Sequence, residues 1–429
     1  MDDPQVLDRM RADWNQRAAE DANYYVAFGR RGQDEEEFFA SASDVVRTLT
    51  RELKRLRARH AALEIGCGPG RLMRPLSRHF GEIHGVDVSD EMVRLANQRL
   101  RSVTNAHAHH TSGSGLAMFP GEKFDYVYSY AVFQHIPSRE VVFHYLREAR
   151  RVLRTGGILR CQINGLPPHA RHYDTWNGVR ISADEIRSFA IQQDFQLLAL
   201  EQVWTQYMWV TCRKMPSGWV KGLKPEPGAR CRVRNIGNAL TGERAAPDTG
   251  PMAALSMRME NLPADCDLNH MTMTADGMPC RLTYVGDREA DGVSQVNGAL
   301  PEGIRTGLVP VQLSWLGAAL GAPAWVRIMR AGPSVPRIAN FSDGVDLLST
   351  GRIGSGLLKI TMFDVVHPEE FHARVDGIEA AGVEHFCVDP MARRWEFNVT
   401  LPPGIPKGPH EVRIAVGRRA LVPMAIEVV

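Results

Sequence analysis

A chain of 429 residues is long enough for two or three domains of ordinary size. Apolar residues at 44% and charged residues at 23% predict a packed core throughout, and a net charge of +2 gives no support to general nucleic-acid binding, which needs a clustered basic surface. No run approaches the ~18 apolar residues of a membrane span, and seven scattered cysteines without a CxxC pair point to a reduced, cytoplasmic chain.

The chain opens on MDDPQVLDRMRADW, which is polar and lacks the apolar stretch of a signal peptide. The residues that follow are aromatic: Trp14, Tyr24, Tyr25, Phe28, Phe38 and Phe39. Phe38 and Phe39 read as packing of a helix onto a sheet. For Asn15, Tyr24 and Tyr25, packing and contact with a ligand both stay open. The basic run Arg51–His60 reads as the solvated face of a helix.

Strand-like and helix-like segments then alternate. AALEIGCG, GEIHGVDV, FDYVYSY and GILRCQING are short apolar runs, with helical stretches at 71–80, 90–100 and 139–153 between them. That order predicts a parallel sheet covered by helices on both faces. In LEIGCGPGR, Glu64 ends a strand and Gly66, Cys67, Gly68 and Gly70 form a turn. Glycines there let the backbone approach a ligand closely, and the following helix start favours an anion. A dinucleotide pyrophosphate would satisfy this, and so would a methionine carboxylate. Asp87, at the end of the second strand, is placed to accept the hydroxyls of an adenosine ribose, with Val88 and Met92 flanking an adenine ring. The HAHH run (His107, His109, His110) is expected in a surface turn, without the carboxylate or cysteine that would complete a metal site.

His135, in FQHIP, follows the fourth strand at the ligand-binding end of the sheet. It reads as a general base or as a structural histidine before Pro137. The loop after the fifth strand faces the same end; His172 and Tyr173 are its first candidates for acceptor contact, while Ser182 and Glu185 read as a capping box. FQLLALEQVW and QYMWVTCRKM suit a final strand pair.

Composition changes at Met215–Arg230, rich in Pro, Gly and Lys. Beyond it, short alternating runs separated by DG, PEG, PPG and KG predict β-sandwiches. LPEGIRTGLVPVQL (300–313) and LPPGIPKGPHEVRI (401–414) repeat one pattern, each preceded by an Asp-Gly pair at 276–277 and 376–377. Two copies of one module are therefore expected. Trp315, Trp325 and Trp395 fall in strand-like runs and are expected in the core.

LEIGCGPGR resembles the first motif of class I S-adenosylmethionine-dependent methyltransferases of the type 11/25 kind. FDYVYSYAVFQHIP resembles that family's fourth-strand motif, and RVLRTGGIL the segment leading into its fifth strand. The resemblance covers about residues 45–215. It implies S-adenosyl-L-methionine as cofactor: Glu64 toward its amino end, Gly66, Cys67, Gly68 and Gly70 around its methionine part, Asp87 on the ribose, and the Ser129 and Tyr130 backbone at the methionine amino group. Relatives carry an acidic residue before strand four for the adenine amino group, where Ser112 and Gly113 stand here. WNQRAAEDANYYVAFGRR resembles the helical cap that some relatives fold over the cofactor.

The expected architecture is a Rossmann-like doubly wound sheet over residues 1–215, with a cap at about 1–45. A linker at 216–225 and two immunoglobulin-like β-sandwiches at 226–333 and 334–429 follow. The expected activity is methyl transfer to an O or N atom of a small-molecule or sugar-containing acceptor, without metal, nucleic acid or membrane span. The β-modules would serve docking, a protein partner or self-association. The alternative is a non-catalytic scaffold on a degenerate methyltransferase fold. A dinucleotide oxidoreductase ranks third, because Gly66-x-Gly68-x-Gly70 lacks the G-x-G-x-x-G spacing.

Overall fold

The computed structural model describes residues 4–27, 29–168, 173–225, 231–389 and 392–429. Helices α1 (Pro4–Ala27, interrupted at Asp21), α2 (Glu35–Ala40) and α3 (Ser43–Thr50) open the chain. The chain forms two compact units. One takes in the residues up to Gln16 and Ala42–Ala331, the other Arg17–Ser41 and Gly332–Val429.

In the first unit, strands and helices alternate as β1 (Ala61–Ile65), α4 (Met73–Leu76), β2 (Glu82–Asp87), α5 (Asp90–Arg99), β3 (Ala106–His110) and β4 (Phe124–Ser129). They continue as α6 (Arg139–Val152), β5 (Leu153–Ile163), α7 (Ala183–Gln192), β6 (Phe195–Glu201) and β7 (Met208–Lys214). The strand order is β3-β2-β1-β4-β5-β7-β6. β1 to β5 pair in parallel and β7 runs antiparallel to both its neighbours. This is the doubly wound sheet, and its order reverses between β1 and β4, where ligands bind in such sheets. Alternation along the strands builds two cores: Leu63, Ile65, Val127 and Leu159 face α6, while Ala62, Tyr126, Tyr128 and Ile158 face the other side. Ser89, Ser138 and Ser182 cap α5, α6 and α7, and Ser182 with Glu185 forms the expected capping box.

Two readings of this region change. His107, His109 and His110 lie in β3, not a turn; His109 Nε2 is 3.0 Å from His84 Nδ1 on β2, so neighbouring-strand partners hold the segment extended. Arg55 is buried, not solvated. It donates to Glu52 (2.6 Å), Asp287 (3.1 Å) and the Val285 carbonyl (3.0 Å).

Helix α8 (Trp219–Gly222) lies in the Pro/Gly-rich segment, and its Trp219 donates to Asp265 at 2.9 Å. Then come β8 (Arg232–Asn238), β9 (Ala245–Pro247), β10 (Ala254–Glu260), β11 (Met271–Ala275), β12 (Met278–Val285), β13 (Val293–Ala299), β14 (Gly307–Trp315), β15 (Ala318–Ala319) and β16 (Ala324–Met329). They form a sandwich of β8-β10-β13-β12 and β9-β16-β14-β11, and β12 also pairs with β6 of the α/β sheet at Tyr284–Ala199.

In the second unit, β17 (Arg337–Asp343), β18 (Arg352–Ile353), β19 (Leu357–Phe363), β20 (Phe371–Val375), β21 (Ile378–Glu379), β22 (Gly382–Asp389), β23 (Arg394–Thr400), β24 (Gly408–Val416), β25 (Arg419–Ala420) and β26 (Met424–Val428) form a second sandwich. Its sheets, β17-β19-β23-β22 and β18-β26-β24-β20-β21, repeat the first module's order, with β21 and β22 together taking the place of β12, which pairs with both β11 and β13. Asp276–Gly277 and Asp376–Gly377 have positive φ at both residues (51° and 79°, 49° and 82°), as a type I′ hairpin turn requires. Trp315 is buried as expected. Trp325 is 57% exposed, because β16 turns Val326 and Ile328 to the core and Trp325 to the other face. Within this unit the Gly29 carbonyl accepts from Leu347 N–H (2.9 Å).

Candidate active site

β1 ends at Glu64–Ile65, and the chain turns through Gly66, Gly68 and Gly70 at φ 74°, 49° and 84°. A Cβ on Gly66 would stand 2.3 Å from a Val132 methyl, so glycine alone lets this loop lie against the segment after β4. Gly66 and Cys67 donate their N–H groups to the Val86 carbonyl (2.8 and 3.0 Å). Asp87 ties the two strand ends together: one carboxylate oxygen accepts from Gly68 N–H (2.8 Å), the other from Ser89 N–H (2.9 Å). Burial raises the Asp87 carboxyl above its ordinary value, against the pull of those donors.

Glu64 is buried and accepts from the Tyr128 hydroxyl at 2.8 Å. Burial pushes its carboxyl up to about 8, with Tyr128 and the Arg71 charge acting in the opposite sense. Arg71 is itself buried, its guanidinium 5.8 Å from the centre of the Tyr130 ring, which stacks on Trp209. The Ser129 hydroxyl donates to the Ile65 carbonyl (2.9 Å), locking β4 to β1. Ala131 follows at φ 55°, a strained conformation for a residue with a Cβ. A buried acid, a buried cation and a strained turn thus meet at the sheet's reversal point.

Val88 and the buried Met92 stand beside Asp87 at the start of α5. Ser112 is exposed, and a Cβ on Gly113 would lie 2.8 Å from Val88 and 3.7 Å from Leu7 of α1. Asn15 Oδ1 accepts from the Ser89 hydroxyl (2.7 Å) and Glu91 N–H (3.3 Å). The opening turns of α1 therefore run along Val88–Glu91 and Gly113. Asp13 accepts from the Thr175 hydroxyl at 2.5 Å, joining α1 to the loop after β5. Trp14 meets His135 edge to face at 5.6 Å, and Trp176 lies 6.2 Å from the same imidazole. His135 is buried on the turn after β4, and Gly178 and Val179 donate to the carbonyls of Gln134 and Ile136 on either side of it (both 2.9 Å).

The first unit thus brings together Asn15, Glu64, Gly66, Cys67, Gly68, Gly70, Asp87, Val88, Met92, Gly113, Ser129, Tyr130 and His135. Tyr173 packs, partly buried, against the apolar core. His172 lies outside the described residues, as do His169 and Arg171. Tyr24 and Tyr25 belong to the second unit, where the Arg31 guanidinium lies over both rings and Tyr25 donates to Glu20 (2.7 Å). Arg71, Tyr128, Trp14 and Asp13 are additions. Arg71 closes the glycine motif, and the alternation in FDYVYS turns Tyr128 away from Val127, so both carried a signal in the sequence. Among the described residues, no group of three or more His, Cys, Asp or Glu side chains is placed to hold a metal.

Fold and site define a Rossmann-like doubly wound sheet with a buried acid behind its glycine loop. Residues 63–161 match the family model described as a methyltransferase domain. The chain carries a methyltransferase domain of the S-adenosylmethionine-dependent class. Its relatives include phosphoethanolamine N-methyltransferase 2 of Caenorhabditis elegans, 27% identical over 33% of this chain and 30% of that one. Trans-aconitate 2-methyltransferase of Afipia carboxidovorans is 34% identical over 27% and 43%. The ubiquinone biosynthesis O-methyltransferase of Roseobacter denitrificans is 32% identical over 23% and 39%. The chain thus spans less than half the length of these curated relatives. Among solved structures, a SAM-dependent methyltransferase of Methanosarcina mazei aligns at TM-score 0.31 and 18% identity, over 38% of this chain and 96% of that one.

Proposed function

We propose that this protein transfers a methyl group from S-adenosyl-L-methionine to an oxygen or nitrogen of a small-molecule or sugar-containing acceptor. The observation that carries the reading is the pairing of the buried Glu64 with the half-buried Asp87 across a glycine loop in which Gly66 leaves no room for a side chain. The residues fit the cofactor. Glu64 is an acid without a full charge partner, suited to an ammonium, and Asp87 is suited to a ribose diol. Val88, Met92 and Gly113 form an apolar wall for a flat base. Ser112 stands where many relatives carry an acid, so adenine recognition would use the serine or the backbone alone.

When bound, the cofactor supplies an electrophilic methyl on a sulfonium. Displacement at such a carbon needs alignment more than oxyanion stabilisation, so positioning is the main task of the chain. Asn15 and Asp13 tie α1 to the start of α5 and to the loop after β5. His135 is the candidate base: it would take a proton from an acceptor hydroxyl or ammonium at an imidazole nitrogen. The Trp14 and Trp176 rings beside it favour a planar or cationic acceptor. Relatives named for N- and for O-methylation agree with either accepting atom.

The test is transfer of labelled methyl from S-adenosylmethionine across a panel of amines, hydroxy acids, phenols and sugars. The reading expects at least one product. It also expects His135→Ala to cut kcat by roughly 10²- to 10⁴-fold while cofactor affinity and melting temperature hold. Loss of stability in place of turnover would assign His135 a structural role. A wild-type chain that binds cofactor but methylates nothing would return the first unit to the scaffold reading.

A further inference from the structure

Strand β22 is an edge with an assigned counterpart elsewhere in the chain. The two sandwiches share one strand order, and β22 sits against β23 as β12 sits against β13. Glu384 stands opposite Asn398, and Tyr284 opposite Asn297. In the first module that edge is used: Tyr284 pairs antiparallel with Ala199, so the module extends the α/β sheet, and Arg51 and Arg55 lie over the Tyr284 ring at 5.8 and 5.1 Å. In the second module, β22 pairs with β23 alone among the described residues. Gly382 to Phe386 are exposed in succession, with Val383 at 36% and Phe386 at 40%. The strand has neither the proline nor the lysine that usually blunts an open edge.

We propose that β22 joins antiparallel to β22 of a second copy of this chain, giving a twofold dimer with one eight-stranded sheet. The module's corresponding edge already takes a strand of this same chain in the first unit, and no described strand of the chain fills it in the second. The strand also suits itself. A twofold axis normal to the sheet through His385 or Phe386 keeps each face on its own side. It sets Glu384 across from Phe386 or Val388 of the copy, and Asp389 across from Ala381 or Val383. Neither carboxylate then faces its like, the pairing that destabilises cross-strand neighbours.

Sedimentation velocity of the full chain over a concentration series tests this, with amide hydrogen exchange followed by mass spectrometry. The expected result is a shift to dimer mass with concentration, accompanied by slower exchange in β22. Phe386→Glu keeps the strand, since that side chain lies beside Lys359, and should weaken the dimer severalfold by setting like charges near the axis. A chain that stays monomeric overturns the proposal and leaves the edge to another polypeptide. A dimer in which β22 exchanges as fast as in the monomer, or one indifferent to Phe386→Glu, overturns it equally.

Discussion

Glu64 has its carboxyl buried, held by one phenol and faced by one guanidinium. Its folded value of about 8 lies above the ordinary 4.5, so between those values the folded chain keeps a proton that the unfolded chain gives up. Stability from this group is complete in acid and is lost as pH rises through about 8. Denaturant midpoints measured from pH 5 to 8 should fall for the wild type and fall less for Glu64→Gln. The same residue predicts a linked event: an ammonium arriving beside Glu64 favours the carboxylate, so cofactor binding at pH 7 should release a proton. Titration in two buffers of different ionisation enthalpy reads that release, and Glu64→Gln should abolish it. The sequence located Glu64 by its place before the glycines. Its protonation comes from burial, against the pull of Tyr128 and Arg71, and only folding brings that burial about.

At the scale of elements, local chemistry was readable and borrowed contacts were not. The Asp-Gly turns were legible because a type I′ turn needs positive φ at two successive residues and Gly supplies one without cost. Gly377→Ala should therefore lower stability by about 1 kcal/mol or more, measured as a fall in melting temperature. The Ser182–Glu185 capping box was legible for the same reason. The start of α5 was only half so: Ser89 is a familiar cap, but Asn15, seventy-four residues away, completes it. Asn15→Ala should cost about 1 kcal/mol and weaken cofactor binding together with stability, which thermal shift with and without cofactor separates. Strand β3 escaped because three histidines in five residues do not look like a strand, and its state is set by pairing with β2. Trp325 escaped because alternation fixes two faces without saying which is wet.

Over the whole molecule, the change in composition near Met215 marks where helices longer than a single turn cease, and it carries no information about sheets that join. The first unit holds a partly buried ionic network in which Glu52 takes Arg51 and Arg55, Glu201 takes Arg51 and Arg160, and Asp287 takes Arg55 and Arg213. Those contacts link residues 51–55, the α/β sheet and the first β-module, at sequence separations no local pattern reports. Glu52→Ala would take one of two carboxylate partners from Arg51 and from the fully buried Arg55, and should cost up to about 3–5 kcal/mol. An exposed pair such as Arg305–Asp276 should cost under about 1 kcal/mol. Urea denaturation of the full chain distinguishes the two. The repeat was legible in LPEGI and LPPGI, and both copies fold to one strand order. Calorimetric titration of the full chain with S-adenosylmethionine, beside Asp87→Ala, tests the central claim most directly. Saturable one-site binding that the variant loses while it stays folded is the expected result; a folded wild-type chain that takes up no cofactor would overturn the assignment of the glycine loop and Asp87 to S-adenosylmethionine.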